Sequence, residues 1–178
     1  MMHNDIENIL LTRAEIEART AELALALKAD YEGKNPILVC LLKGSTMFMA
    51  EIMKTLDIDL QIDFMDVSSY DGTESTGDVR IVKDLDASVR GRHIIIAEDI
   101  VDTGRTLEKV IQLLQNRGAK TIEMVTLLDK PEARVAPVTA KYVGFSIPKS
   151  FVVGFGLDYN EKYRNLPYVG ILKASVYS

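Results

Sequence analysis

What this chain has least of narrows its function first. A single cysteine, Cys40, in 178 residues forbids an internal disulfide, and its place inside an apolar run reads as a small core residue. The two histidines, His3 and His93, form no metal-binding pair, and His93 opens a strand, where a structural role is the ordinary one. No apolar run approaches the length of a bilayer span, and Met1 to Leu11 is polar and charged where a cleavable signal would be apolar. A cytoplasmic protein with no membrane partner is therefore expected. There is no Gly-rich P-loop ending in Lys-Ser or Lys-Thr, which argues against a nucleoside triphosphatase of that type, and no G-x-G-x-x-G after a strand, so a dinucleotide fold lacks its fingerprint. Positive charge is also short: 21 Lys and Arg stand against 26 Asp and Glu, a formal net charge of -5. That balance leaves no global electrostatic footprint for nucleic acid, which is not expected as a partner. A small anionic ligand would need local positive groups or a metal.

What is present is an ordinary globular composition, 47% hydrophobic and 26% charged, with no internal repeat or low-complexity segment. The length suits one domain, 1–178, able to bury a core without structural metal. Thr12-Arg13-Ala14-Glu15 has the form of a capping box, and Ile16, Leu23, Leu27 and Tyr31 follow at helical spacing, so 12–31 is predicted as an amphipathic helix ended by Gly33 and Pro36. Ile37 to Leu42 is a short unbroken apolar run, the pattern of a strand buried on both faces of a parallel sheet. Lys43-Gly44-Ser45-Thr46 then leads into a helix carrying Met47, Phe48, Ile52, Met53 and Leu56; strand, Gly loop and helix make either an anion-binding arrangement or a plain turn. Ile58, Leu60, Ile62 and Phe64 alternate with Asp59, Gln61 and Asp63, predicting a strand with one wet face. The polar stretch 68–78 is long for a connection between strands and reads as a disordered tip or an active-site lid, after which 79–83 resumes a strand pattern. Leu107, Val110, Ile111 and Leu114 mark the buried face of a helix stopping at Gly118, and Thr121 to Leu128 is another apolar strand. The expected fold is α/β: a doubly wound, mostly parallel sheet flanked by helices, with its site along the C-terminal ends of the strands. Beyond Pro131 the short runs Tyr142–Ile147, Phe151–Phe155 and Tyr168–Leu172 read as a small C-terminal hood, leaving about 12–130 as the core and about 131–178 mainly as the hood.

The richest stretch is His93 to Leu107. An apolar strand runs into Glu98-Asp99, then Ile100-Val101, then Asp102, before Thr103-Gly104-Arg105-Thr106 opens a helix. Free first-turn amides and the positive dipole end suit a phosphate, Gly104 permits close backbone approach, and two threonines add hydroxyl donors. The carboxylates must serve something else: ribose hydroxyls, Mg²⁺, or a proton. An N-cap role would account for Asp102 alone, but it leaves the pair Glu98-Asp99 unexplained.

The run Glu98 to Thr106 resembles the phosphoribosyl-pyrophosphate motif of type I phosphoribosyltransferases, and from Leu38 to about Leu172 the chain resembles their 6-oxopurine branch, the hypoxanthine-guanine phosphoribosyltransferases. The resemblance implies a set of roles. Lys43-Gly44 would form the pyrophosphate loop, joined by Arg164, and Ser69-Tyr70 would belong to a mobile catalytic lid. Lys130 would read the purine 6-oxo group, Phe151-Val152 would stack on the base and bond its edge through backbone, and Asp158 would lie near the base and a second metal. It further implies Mg²⁺ held on the side of Glu98, Asp99 and Asp158, a homo-oligomer (dimer or tetramer), and often a non-proline cis peptide, here at Leu42-Lys43. Ser45 and Arg105 depart from some relatives, which carry glycine and lysine there, without removing a backbone donor.

The chemistry can be argued beside the resemblance. Displacing pyrophosphate from C1 of a ribose passes through an oxocarbenium-like centre, so leaving-group charge must be neutralised, the sugar fixed and the incoming nitrogen deprotonated. Mg²⁺, the Lys43 loop and Arg164 suit the first task, Glu98 and Asp99 the ribose hydroxyls, Asp102 to Thr106 the 5′-phosphate, and Asp102 the proton. Taken singly, Lys130 is an ordinary strand-end lysine, Phe151 a core residue and Asp158–Arg164 a surface pair. The expected activity is purine salvage: hypoxanthine or guanine with phosphoribosyl pyrophosphate giving IMP or GMP. The rival from another class is an RNA-binding regulator on the same fold, which would need a basic face.

Overall fold

The computed structural model describes residues 1–69 and 79–178. In chain order these form β1 (Ile6–Leu11), α1 (Arg13–Tyr31), β2 (Ile37–Leu41), α2 (Thr46–Thr55), β3 (Gln61–Ser69), β4 (Val79–Lys83), β5 (His93–Val101), α3 (Arg105–Asn116), β6 (Thr121–Asp129), β7 (Tyr142–Ser146), β8 (Val152–Val153), β9 (Val169–Leu172) and a short α4 (Ala174–Tyr177). The six-stranded sheet has the order β4-β3-β2-β5-β6-β7. All its pairings are parallel except β3–β4. This is the expected α/β fold.

Strand alternation divides the core into two layers. On β2, where every residue is buried, Leu38 and Cys40 face α1 and α2 through Leu23, Leu27, Phe48 and Ile52. Ile37, Val39 and Leu41 point the other way, toward Leu107, Val110 and Leu114 of α3. A sheet covered on both faces needs strands that are apolar throughout, which is why these runs do not alternate. The capping box at the head of α1 is formed in both directions: Glu15 N donates to Thr12 Oγ1 at 3.2 Å, and Thr12 N donates to Glu15 Oε2 at 2.8 Å. Cys40 is buried in this core, which pushes its thiol up to about 11. His93 is structural, its Nδ1 lying 2.7 Å from Thr121 Oγ1 on the neighbouring strand.

Three local expectations are corrected. Tyr142–Ser146, read from the sequence as part of the hood, is the edge strand of the main sheet, paired with β6 and tied to α1 by Arg19, whose Nε and Nη2 donate to the carbonyls of Gly144 (2.9 Å) and Val143 (2.8 Å). The second sheet is instead β1-β9-β8, antiparallel, and it recruits the N-terminal strand that the sequence pattern hid. β1 buries only Ile6 and Leu11, and two register shifts against β9 break any period of two. β3 begins at Gln61, later than Ile58, and its wet face is inverted: Ile62 is 46% exposed and Asp63 4%. The buried Asp63 carboxylate is satisfied by the amides of Asp86 (3.0 Å) and Ala87 (2.9 Å), so it anchors the loop after β4.

Candidate active site

β5 runs further than the apolar pattern suggests. Its parallel register with β6 continues through Glu98↔Thr126 and Ile100↔Leu128 to Val101↔Asp129, so the acidic pair lies within the strand. The exposed Asp102 and Thr103 follow, then Gly104 at φ 81 as the residue before α3. A side chain at Gly104 would overlap Val138 Cγ2 and crowd Arg134 Cδ at 3.1 Å. The Thr103 carbonyl accepts from the amides of Val135 (2.9 Å) and Ala136 (3.0 Å), so the cradle is braced from behind by the segment after β6. Arg105, exposed, and Thr106, half-buried, make the first turn of α3. The N-cap residue is Gly104, with no side-chain cap bond, which sets aside the reading of Asp102 as an N-cap; the Arg105 amide makes only a long 3.5 Å bond to Thr103 Oγ1, so the first turn can still present its amides to an anion.

Because Val101 and Asp129 are register partners, the next residues, Asp102 and Lys130, emerge side by side at one sheet edge, at a spacing on the order of 5 Å between neighbouring strands. The Lys130 amide donates to the Val101 carbonyl at 3.0 Å and fixes that relation. Asp102, Thr103, Lys130, Lys149, Ser150 and Phe151 line a single cleft of about 410 Å³. Phe151 is 40% exposed. Its ring is stacked on Tyr177 at 4.8 Å and meets Tyr159 edge-on at 5.5 Å. Val152 is buried in β8, the edge strand of the small sheet, whose outer row of backbone groups is open for pairing.

The loop after β2 meets the acidic pair from the other side. Leu42-Lys43 is a cis peptide. Gly44 lies so close to the Asp99 carboxylate that any β-carbon there would collide with Asp99 Oδ2. The buried Ser45 hydroxyl accepts from the Asp99 amide at 3.1 Å and donates to Glu98 Oε2 at 3.5 Å. Burial, and then the charge of Asp99, push the Glu98 carboxyl well above its ordinary range; burial also raises Asp99. Among the described residues neither has an ion-pair partner, and no three metal-ligating side chains converge. Two hard oxygen donors short of positive charge fit a divalent cation that completes its shell with phosphate oxygens and water, the habit of Mg²⁺. One consequence is thermodynamic. A raised carboxyl contributes stability that is full below its unfolded value near 4.5 and is lost as pH rises through the folded value. Glu98→Gln is therefore expected to raise Tm in metal-free buffer near neutral pH and to flatten the decline of Tm as pH rises above the ordinary glutamate range. A Tm unchanged or lowered across that range by differential scanning calorimetry would contradict this.

Asp158 and Arg164 pair at 3.2 Å on the turn leading back toward β9, and Arg164 Nη1 donates to the Gly156 carbonyl at 2.8 Å. Gly156, at φ +99, in turn packs against the Gly44 carbonyl, so this turn and the Lys43 loop touch through backbone. Ser69 ends β3, exposed and paired with Val79; Tyr70 and the rest of the lid expectation through 78 lie outside the described residues. Arg134 and Glu161 were not singled out by sequence, and Ser45 was noted only as a departure from some relatives. Arg134 ion-pairs with Asp129 and donates to the carbonyls of Asp102 (3.1 Å) and Val138 (2.6 Å), holding the cradle's entrance. Ser45 bridges the acidic pair, and Glu161 contacts both Lys43 (2.9 Å) and Arg164 (3.0 Å). The contacts that give them a role are long-range: Arg134 to the Asp102 carbonyl, Ser45 to the acidic pair and Glu161 to Lys43 each join segments more than thirty residues apart, which no local pattern signals.

The chain matches the phosphoribosyl transferase domain family over residues 7–160. It is 54% identical to the hypoxanthine-guanine phosphoribosyltransferase of Staphylococcus aureus, over 99% of each chain. It is equally identical to the bifunctional protein TilS/HprT of Listeria innocua, but spans only 28% of that protein's length. The crystal structure of a hypoxanthine phosphoribosyltransferase from Staphylococcus aureus superposes with a TM-score of 0.96 at 54% identity, covering 99% of this chain and 97% of the other.

Proposed function

This chain belongs to the hypoxanthine-guanine phosphoribosyltransferases within the phosphoribosyl transferase domain family, and from that membership we propose that it transfers a phosphoribosyl group from phosphoribosyl pyrophosphate to hypoxanthine or guanine, giving IMP or GMP and pyrophosphate. The observation that carries the reading is the shared cleft in which Asp102, Thr103, Lys130 and Phe151 stand together. A carboxylate, a phosphate cradle, an ammonium donor and an aromatic face are the four groups that a 5′-phosphoribosyl donor and a 6-oxopurine jointly require.

In the reaction, the bond from C1′ to the pyrophosphate oxygen breaks as a bond from C1′ to purine N9 forms, and the purine loses its N7 proton. The first-turn amides of α3 with Thr103 and Thr106 hold the 5′-phosphate, which fixes the ribose in line with the base. Glu98 and Asp99 serve the ribose hydroxyls and the metal side. Asp102 accepts the N7 proton. Phe151 stacks on the base, the Val152 backbone bonds its edge, and Lys130 donates to its 6-oxygen. Lys43, the Gly44 amide and Arg164 meet the charge that develops on the departing pyrophosphate. Mg²⁺, held by Glu98 and Asp99 and at a second position by Asp158, would supply further neutralisation of that charge. A homo-oligomer, dimer or tetramer, goes with the same reading.

A radiolabelled-base assay with hypoxanthine, guanine, xanthine and adenine tests it. Conversion of the first two with little or none of adenine is expected. Failure to convert any base, together with salt-dependent RNA binding, would move the protein to the regulator class. Among the described residues no helix is long and apolar enough to cross a membrane.

A further inference from the structure

Lys43 and Arg164 come from separate parts of the fold, the loop after β2 and the turn before β9, yet both reach the same carboxylate. Lys43 Nζ donates to Glu161 Oε2 at 2.9 Å, and Arg164 Nη2 donates to Glu161 Oε1 at 3.0 Å. One carboxylate oxygen serves each cation, as two oxygens of a bound phosphate group would. The Glu161 amide donates to Asp158 Oδ2 at 2.9 Å, which keeps the residue over the site although its backbone stands at φ 61. The contact is nevertheless open to exchange: the Lys43 and Glu161 side chains are 62% and 63% exposed, and exposed ion pairs are weak. Arg164 also has unused capacity, since its buried Nε has no hydrogen-bond partner among the described residues. The backbones that carry the two cations are joined independently of Glu161, because Gly156 packs directly on the Gly44 carbonyl.

We propose that Glu161 is a built-in competitor for the pyrophosphate group: its carboxylate bridges Lys43 and Arg164 in the ligand-free protein and is displaced when the diphosphate binds. The inference rests on the transferase reading, which assigns those two cations to pyrophosphate. Arg164 keeps Asp158 as a second carboxylate partner at 3.2 Å, whereas Lys43 has Glu161 as its ion-pair partner among the described residues, so Glu161 neutralises Lys43 while the site is empty and sets a limit on how tightly the product pyrophosphate is held. A diphosphate carries more charge than one carboxylate and wins the exchange, but only after displacing it.

The test is isothermal titration of the full-length protein with inorganic pyrophosphate in the presence of Mg²⁺, on the wild type, Glu161→Gln and Glu161→Asp, with steady-state kinetics alongside. Glu161→Gln is expected to bind pyrophosphate about two- to tenfold more tightly and to lower KM for phosphoribosyl pyrophosphate without changing KM for hypoxanthine, while Glu161→Asp, which keeps the charge, stays near the wild type. A merely structural role for Glu161 would weaken binding when the side chain is changed. Equal or weaker pyrophosphate binding by Glu161→Gln therefore overturns the proposal. A folded wild type that binds no pyrophosphate at all overturns the transferase reading, and this inference with it.

Discussion

Asp102→Asn is expected to lower kcat by roughly 10²–10⁴-fold while leaving the affinity for phosphoribosyl pyrophosphate within about twofold of the wild type. Asparagine keeps the size and one acceptor oxygen of aspartate but cannot take a proton. The position is suited to this test because its backbone and side chain are committed separately. The Asp102 carbonyl is held by Arg134 Nε at 3.1 Å, and its neighbours are fixed by the Val101–Lys130 and Thr103–Val135 bonds, all of which survive the substitution. The side chain is exposed and caps no helix. Steady-state kinetics and titration with phosphoribosyl pyrophosphate separate the two quantities. If affinity falls by the same factor as kcat, Asp102 serves the phosphate cradle and is not the base.

Lys130→Met carries the second large effect. A charge-assisted hydrogen bond is worth roughly 1.5–3 kcal/mol, so kcat/KM for hypoxanthine should fall by about 10–150-fold. The decisive quantity is selectivity. In the wild type, adenine would present an amino donor to an ammonium donor, a mismatch that costs far more than a missing contact. Methionine removes the mismatch along with the match, so the ratio of kcat/KM for hypoxanthine over adenine should collapse. The Lys130 backbone bond to Val101 is independent of the side chain, and among the described residues the ammonium makes no hydrogen bond or ion pair that the change would break. Equal losses for both bases would assign Lys130 to phosphate or to general electrostatics, with no part in reading the 6-position.

Elements written within a few consecutive residues were legible beforehand. The Thr12 capping box, the unbroken apolar run of β2, and the helix from Leu107 ending at Gly118 all depend on contacts inside one or two turns or on one strand's burial. The same holds for the strand, Gly104 and helix start proposed to cradle the phosphate, which are contiguous. β1 escaped notice because its bulged pairing and two buried residues leave no period. Asp63 contradicted the alternation because its buried carboxylate finds amides on a loop more than twenty positions away. β7 has the same local pattern wherever it docks, so only its pairing with β6 told sheet from hood.

Returning to Glu98 through Thr106, the residue order alone placed a helix start suited to an anion beside a set of carboxylates, since helix-start geometry and strand burial are properties of short windows of chain. The division of labour among those groups came from long-range packing. The β5–β6 register set Lys130 beside Asp102, the β2–β5 pairing brought Gly44 against Asp99, and the touching loops at Gly44 and Gly156 let Glu161 reach Lys43 and Arg164 together. Which strands become neighbours depends on the burial of whole faces across the molecule, and no window of a few residues contains that information.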